Sequence, residues 1–270
     1  MRQNMYLMDY HMHSDSSPDG KDSLCKMCEA AIQKNIDEIC ITDHCDCNGF
    51  PGTDFIFDYK KSKAEYLKAK ELYGNKIKIK FGIEVGQITQ AEQVGKEILQ
   101  NDFDFVLGSL HNIKGYDDFY NLKYISINEC KAMFESYTEE LIIMTKMLQF
   151  DCLAHLNYPT RYALMNYGYD VGFNMFEEQI REIFKILIEN GKGLEANTSA
   201  YRYGMPITWP GEWELKLFKE MGGEIVTIGS DSHKKEHFGY GIREGQMLLK
   251  EIGFKYIAAY KQRTPSFISI

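Results

Sequence analysis

Apolar positions along the chain follow two spacings in turn. Short continuous apolar runs occupy residues 6–12, 38–42, 77–85, 105–110, 152–156, 193–197 and 224–229, and their length and Ile, Val and Phe content are those of buried strands. Between them, residues 24–34, 58–73, 90–100, 128–148, 175–189 and 212–221 place apolar side chains three and four apart, which gathers them on one face of a helix. Such alternation predicts an α/β fold with a parallel sheet covered by helices, either open and doubly wound or closed into a barrel. No GxGxxG follows the first run, so nothing favours the dinucleotide-binding open sheet. A further run at 256–260 leaves the strand count at seven or eight, and residues 48–54 and 158–172 read as loops. Nothing repeated or low in complexity divides the 270 residues, which suit one barrel-sized domain over 1–270.

Composition narrows the setting. The hydrophobic share is 44%, the charged share 26%, and no apolar run reaches the ~20 residues of a membrane helix, so a soluble protein without a membrane partner is expected. Residues 1–9 lack the basic region, apolar stretch and cleavage site of a secretory signal, which points to the cytoplasm. Seven cysteines, an odd number, fit reduced thiols there better than a disulfide framework. Cys25 and Cys28 form a CxxC, but no second pair follows at zinc-ribbon spacing. Ser23 with Leu24, Met27, Ala30 and Ala31 reads instead as a capped amphipathic helix. Cys45 and Cys47 follow His44 closely and stay open as thiolate ligands. A net charge of −8 excludes broad phosphate-neutralising contact with nucleic acid and favours a small-molecule partner. Oligomeric state is not readable.

The candidate chemistry lies at the ends of the apolar runs. His11 and His13, His44, Glu84, His111, His155, Glu195, and Asp231 with His233 sit at or just past the carboxyl ends of predicted strands, and these positions take six of the seven histidines. In a barrel, that face is where catalytic residues converge. His11 and His13 are two apart in an extended segment, so both imidazoles leave one face and can chelate one ion; Asp231 and His233 repeat the spacing. Imidazole and carboxylate donors without a thiolate set suit Zn, Mn or Fe. The set exceeds the needs of one tetrahedral ion, so two or three divalent transition-metal ions are expected, with Glu84 free to bridge a pair. Two ions about 3.5 to 4 Å apart activate a shared water and clamp both oxygens of an in-line displacement at phosphorus, which makes a phosphate ester the natural substrate. Of six arginines, Arg161 and Arg202 follow the fifth and sixth runs and are candidates to hold that phosphate.

These motifs closely resemble the polymerase and histidinol phosphatase (PHP) family. Asp9-Tyr10-His11-Met12-His13-Ser14 with Ser17-Pro18-Asp19-Gly20 is similar to its first motif, and Ile41-Thr42-Asp43-His44 to its second. Gly82-Ile83-Glu84-Val85-Gly86, Gly108-Ser109-Leu110-His111 and Gly229-Ser230-Asp231-Ser232-His233 match the rest in order, covering most of the chain. Ala154-His155-Leu156, Glu195-Ala196-Asn197-Thr198 and Gln262-Arg263-Thr264-Pro265 carry a narrower likeness to the stand-alone histidinol-phosphate phosphatases.

The resemblance implies a distorted, TIM-like (β/α)7 barrel with a trinuclear metal site. It places His11, His13, Glu84 and Asp231 on one ion, Glu84, His111 and His155 on a second, and Asp19, His44 and His233 on a third. Many relatives have His where this chain has Asp19, a change toward harder ions. The implied reaction is hydrolysis of L-histidinol phosphate to L-histidinol and phosphate in histidine biosynthesis, with a metal-bound hydroxide as nucleophile. Asp231 or His233 would carry protons, Arg161 and Arg202 would hold phosphate, and Glu195 would meet the substrate ammonium. Two other readings stay open: a phosphoesterase of the same family acting on nucleotides or another small phosphomonoester, and a metal-binding module without turnover.

Overall fold

The computed structural model describes residues 5–124 and 126–270; residues 1–4 of the amino-terminal stretch and Ile125 lie outside the described residues. The apolar runs become the parallel strands β1 (Met8–Asp9), β2 (Glu38–Ile41), β3 (His44–Asp46), β4 (Lys78–Gly86), β5 (Phe105–Ser109), β6 (Cys152–Leu153), β7 (Gly193–Asn197) and β8 (Val226–Gly229). Their spatial order is β1-β2-β4-β5-β6-β7-β8, with β3 also on β4. Ile41 lies opposite Phe81 and His44 opposite Glu84, so β2 and β3 act as one stave interrupted at Thr42 and Asp43. The wall therefore has seven staves. Tyr10 N–H donates to Ile228 O at 2.9 Å, Asp231 N–H to His11 O at 2.7 Å and His13 N–H to Ser232 O at 2.8 Å, which closes β8 onto β1. The result is the distorted (β/α)7 barrel.

Among the described residues eight α-helices cover the wall: α1 (Leu24–Gln33), α2 (Tyr59–Tyr73), α3 (Glu92–Ile98), α4 (Ile127–Met147), α5 (Tyr158–Tyr167), α6 (Glu177–Glu189), α7 (Glu212–Glu220) and α8 (Ile242–Ile252). Their sequence logic is plain in α6, where Ile180, Ile183, Phe184 and Leu187 are buried at three and four spacing while Arg181 and Glu177 pair outside. Asp58 caps α2 by accepting from Lys61 N–H at 3.0 Å, and Ser126 caps α4. Ser23 stands at the start of α1 but makes no side-chain capping bond, contrary to expectation. Cys28 packs in the core and all seven cysteines are free thiols.

Two expectations are corrected. Residues 158–172 are not a loop throughout: Pro159, in the first turn where its missing N–H costs nothing, begins α5. The run at 256–260 is a strand but not an eighth stave. It forms β9 (Tyr256–Lys261), antiparallel to β10 (Thr264–Ser269), in a hairpin across the amino-terminal end of the barrel. There Tyr260 packs on Phe105 at 4.8 Å and donates its backbone N–H to Tyr10 Oη at 2.9 Å. The hairpin turn is pinned by Asp104, which accepts from Gln262 N–H, and by Arg263, whose guanidinium grips buried Asp151 at 2.9 to 3.1 Å. Among the described residues, no helix is long and apolar enough to cross a membrane.

This closure yields a stability prediction. Arg263→Ala removes the strongest partner of Asp151, leaving Lys192 at 3.8 Å and the Val106 N–H at 2.9 Å. The expected loss is about 1 to 2 kcal/mol, read as a lowered urea midpoint. An unchanged midpoint would mean that the hairpin is not held by this pair.

Candidate metal centre

The strands deliver the polar residues to one mouth of the barrel. His11 and His13 follow β1, His44 opens β3, Glu84 lies in β4, and His111 and His155 stand just past β5 and β6. Asp231 and His233 follow β8. All are buried except His233, and Asp19 comes over from the loop after β1. Glu84 is the centre. Its Oε1 lies 3.0 Å from His155 Nε2 and 3.2 Å from His111 Nε2. Its Oε2 lies 3.0 Å from His44 Nδ1, 3.5 Å from His11 Nε2 and 3.6 Å from His13 Nε2. Asp231 Oδ1 completes that side at 3.8 Å from His11 and 3.7 Å from His13. Asp19 Oδ2 stands 2.9 Å from His233 Nε2 and 3.7 Å from His44 Nε2.

Several of these close approaches are not hydrogen bonds. Glu84 Oε2, His44 Nδ1, His155 Nδ1, Asp19 Oδ1 and Asp46 Oδ2 are buried with no hydrogen-bond partner among the described residues. Buried polar atoms without partners are costly, and Glu84 Oε2 and His44 Nδ1, 3.0 Å apart, are two that a shared cation resolves. Four triads have donor atoms within 4.8 Å of one another: His11, His13, Asp231; His11, Glu84, His155; His13, His44, His233; and His44, Asp46, His111. The donor set fits transition-metal ions. No cysteine belongs to these groups; Cys45 and Cys47 are buried, with the Cys47 thiol on the Cys45 carbonyl.

The electrostatics point the same way. Burial opposes charge on Glu84, but His11, His44 and His111 outweigh it and hold the carboxyl well below its ordinary range. Burial likewise opposes ionisation of Asp231, yet His11, His233 and Arg161 draw it down. Burial would depress the His111 imidazole, but Asp46 and Glu84 push it up to about 10. His13 goes the other way, lowered by burial and by its His233 and His44 neighbours. The carboxylates thus demand positive charge, and protons meet that demand where metal is absent.

A second row of carboxylates fixes the first. Glu195 accepts from His11 Nδ1 at 2.7 Å and from the His155 N–H at 2.8 Å. Asp43 accepts from Ser14 N–H at 2.7 Å and from the Ser14 and Ser17 hydroxyls, and Ser17 Oγ in turn accepts from His44 N–H at 2.9 Å. Asp9 takes the Ser230 N–H at 2.8 Å and the Ser230 hydroxyl. The close approach requires Gly229: a Cβ there would stand 2.2 Å from His11 Cβ and 2.6 Å from Glu195 Oε1.

The mouth opens into a cavity of about 460 Å³. Its floor is made by the metal-ligand candidates Asp19, His44, Glu84, His111, His155, Asp231 and His233; its other wall includes Phe50, Asp118, Tyr120, Tyr158, Arg161 and Tyr162. Arg161 donates to Ser199 Oγ at 3.0 Å and to the Tyr162 hydroxyl, and lies 3.5 Å from Asp231 Oδ2. Two expected substrate contacts are absent from this lining. Arg202 is turned behind it, donating to the Ser230 and Asp231 carbonyls, and so holds the Asp231 loop. Glu195 is occupied on both oxygens beneath His11. Asp46 went unnoticed in the sequence, although two-residue spacing from His44 on β3 puts both on one face; it lies 3.3 Å from His111 Nδ1.

A family model for the PHP domain matches residues 9–199. A histidinol-phosphatase of Lactococcus lactis is 31% identical over 263 residues, covering 95% of each chain. A probable histidinol-phosphatase of Thermotoga maritima is 30% identical over 253 residues, covering 93% of this chain and 95% of the relative. A crystal structure of the L. lactis histidinol phosphate phosphatase with zinc, L-histidinol and phosphate superposes with a TM-score of 0.82 at 28% identity, covering 96% of this chain and 98% of that one.

The supporting row is testable without any ligand. Asp43→Ala strips buried donors on Ser14 and Ser17 of their acceptor, and the expected destabilisation is about 2 to 4 kcal/mol by chemical denaturation. A loss below about 0.5 kcal/mol would show that Asp43 does not organise the two loops.

Proposed function

The chain belongs to the PHP domain family, and from that premise we propose that it hydrolyses L-histidinol phosphate to L-histidinol and phosphate in a metal-dependent reaction. The observation that carries this reading is Glu84, a fully buried carboxylate whose two oxygens face separate groups of imidazoles at the floor of an open cavity. The named relatives, matched over nearly their full lengths, support the substrate. We read residues 1–270 as one catalytic domain, and the seven free thiols suit a reducing cytoplasm.

In this reading His11, His13, Glu84 and Asp231 hold one ion, Glu84, His111 and His155 a second, and Asp19, His44 and His233 a third, drawn from zinc, manganese and iron. When bound, the ions supply Lewis acidity that activates water and offsets charge gathering on the phosphoryl oxygens. The remaining work falls to the chain. Arg161, tethered by Ser199 and Tyr162, orients the phosphate with a fixed positive charge. Arg202 contributes by fixing the Asp231 backbone. Asp231 or His233 delivers the proton to the leaving alkoxide; the His233 side chain, 28% exposed, reaches the cavity with its Nε2 2.9 Å from Asp19 Oδ2.

Release of inorganic phosphate by metal-replete protein tests the reading. The kcat/KM for L-histidinol phosphate should exceed that for nucleoside monophosphates by at least about tenfold, or roughly 1.4 kcal/mol of differential transition-state binding. A strong chelator should abolish turnover and added divalent metal restore it. A preference for nucleotides or degradation of oligonucleotides would move the chain to another branch of the family, and chelator-insensitive turnover would remove the metals.

A further inference from the structure

The three proposed ion positions are not held alike. The ligand candidates around Glu84 are buried and stand on strands or directly beyond them. Asp19 and His233 have side chains 37% and 28% exposed and come from two separate loops, one after β1 and one after β8, with only His44 supplied from a strand. Ligands on loops bind an ion tightly only where the loops are already held together, since the entropy of ordering two free segments otherwise subtracts from the affinity.

The two loops are joined at Asp22. The Asp19 loop closes at its neck, where Asp15 N–H donates to Asp22 O at 2.9 Å. It turns so tightly that a Cβ on Gly20 would stand 1.8 Å from Ser14 O. The neck is fastened to the β8 loop twice: Lys21 donates its N–H to His233 O at 2.8 Å, and Asp22 Oδ2 accepts from the Lys235 N–H at 3.0 Å. Consecutive residues of one loop thereby bracket Lys234 in the other. The carboxylate is steadied from its far side by Lys26 in the first turn of α1, 3.3 Å from Oδ1. Asp22 belongs to none of the ligand groups found among the described residues and does not line the cavity, so it touches neither ion nor substrate. Lys235 is exposed, and water replaces a lost acceptor there; the bond therefore matters chiefly for where the two loops stand relative to each other.

We propose that Asp22 is the positioning residue of the third ion. It clasps the two loops so that Asp19 Oδ2 and His233 Nε2 stay at their 2.9 Å separation, and it sets how tightly that ion is held, independently of the two ions on Glu84. The assignment rests on the three-ion reading of the mouth. A merely architectural Asp22 makes a different prediction: its loss lowers the urea midpoint and leaves the third affinity unchanged, or weakens all three ions alike.

The test titrates the metal-free full chain with Zn2+ by calorimetry against a competing chelator, and counts bound zinc by atomic absorption after gel filtration. Wild-type protein should take up three ions, and Asp19→Ala should lose one of them, which identifies the third site. Asp22→Ala should weaken that ion by about tenfold or more while the other two stay within about threefold of wild type. Asp22→Asn, which keeps an acceptor for the Lys235 N–H but not the charge, should hold the third ion within about threefold of wild type. The inference is overturned if Asp22→Ala binds all three ions as wild type does, or if it weakens all three equally. It is also overturned if Asp22→Asn falls as far as Asp22→Ala, because the effect would then be the charge and not the clasp. If wild-type protein binds only two ions, or Asp19→Ala still binds three, the three-ion reading fails first and this assignment fails with it.

Discussion

Glu84 has no contact with solvent, yet holds its carboxylate at the mouth of the barrel with imidazole nitrogens at 3.0 to 3.6 Å on both oxygens. An isolated carboxylate buried in this way is among the costliest arrangements a protein can adopt, and it persists only where positive charge is guaranteed. The rest of the mouth follows from that constraint. His11 and His13 come from β1, His44 from β3, His111 from beyond β5 and His155 from beyond β6, because parallel staves bring residues distant in sequence to one level around a common axis. Asp19 and Asp231 then add negative charge of their own, so the cluster as a whole favours cations over neutral imidazoles.

A cluster so demanding needs a rigid surround. Asp9, Asp43 and Glu195 accept hydrogen bonds from backbone and hydroxyl groups beside the ligand candidates, and so convert loop positions into fixed ones. Arg202 does the same for the Asp231 turn, where the backbone takes φ +53. At the opposite end the β9–β10 hairpin seals the barrel with Tyr260 and Arg263, which separates the stabilising end from the chemical one. The cavity wall contributed by α5 and by Asp118 and Tyr120 of the loop before α4 then has freedom to carry selectivity, since these residues lie outside the metal cluster.

The strand runs and their terminal histidines were readable because period and position are local properties: a six-residue apolar run ending in His names both a stave and a candidate ligand. Direction was not readable. Glu195 and Arg202 sit at strand ends as expected, but the side of the wall each serves depends on which partner lies nearer, here His11 and the Ser230 carbonyl. Asp46 escaped notice because β3 has only three residues and no apolar run to mark it. Pro159 disguised α5 as a loop, and the β9–β10 hairpin resembled an eighth stave because an isolated apolar run does not declare parallel or antiparallel pairing.

The central claim is that Glu84 bridges bound ions, and diffraction from crystals of metal-replete protein, recorded on both sides of the absorption edges of zinc, manganese and iron, tests it most directly. The account predicts anomalous peaks flanking Glu84, one on the Oε2 side within ligand distance of His11, His13 and Asp231, and one on the Oε1 side within ligand distance of His111 and His155. A fully loaded crystal adds a third peak beside Asp19, His44 and His233. Anomalous density elsewhere in the molecule, or a mouth without peaks in protein shown to be active and metal-loaded, would contradict it.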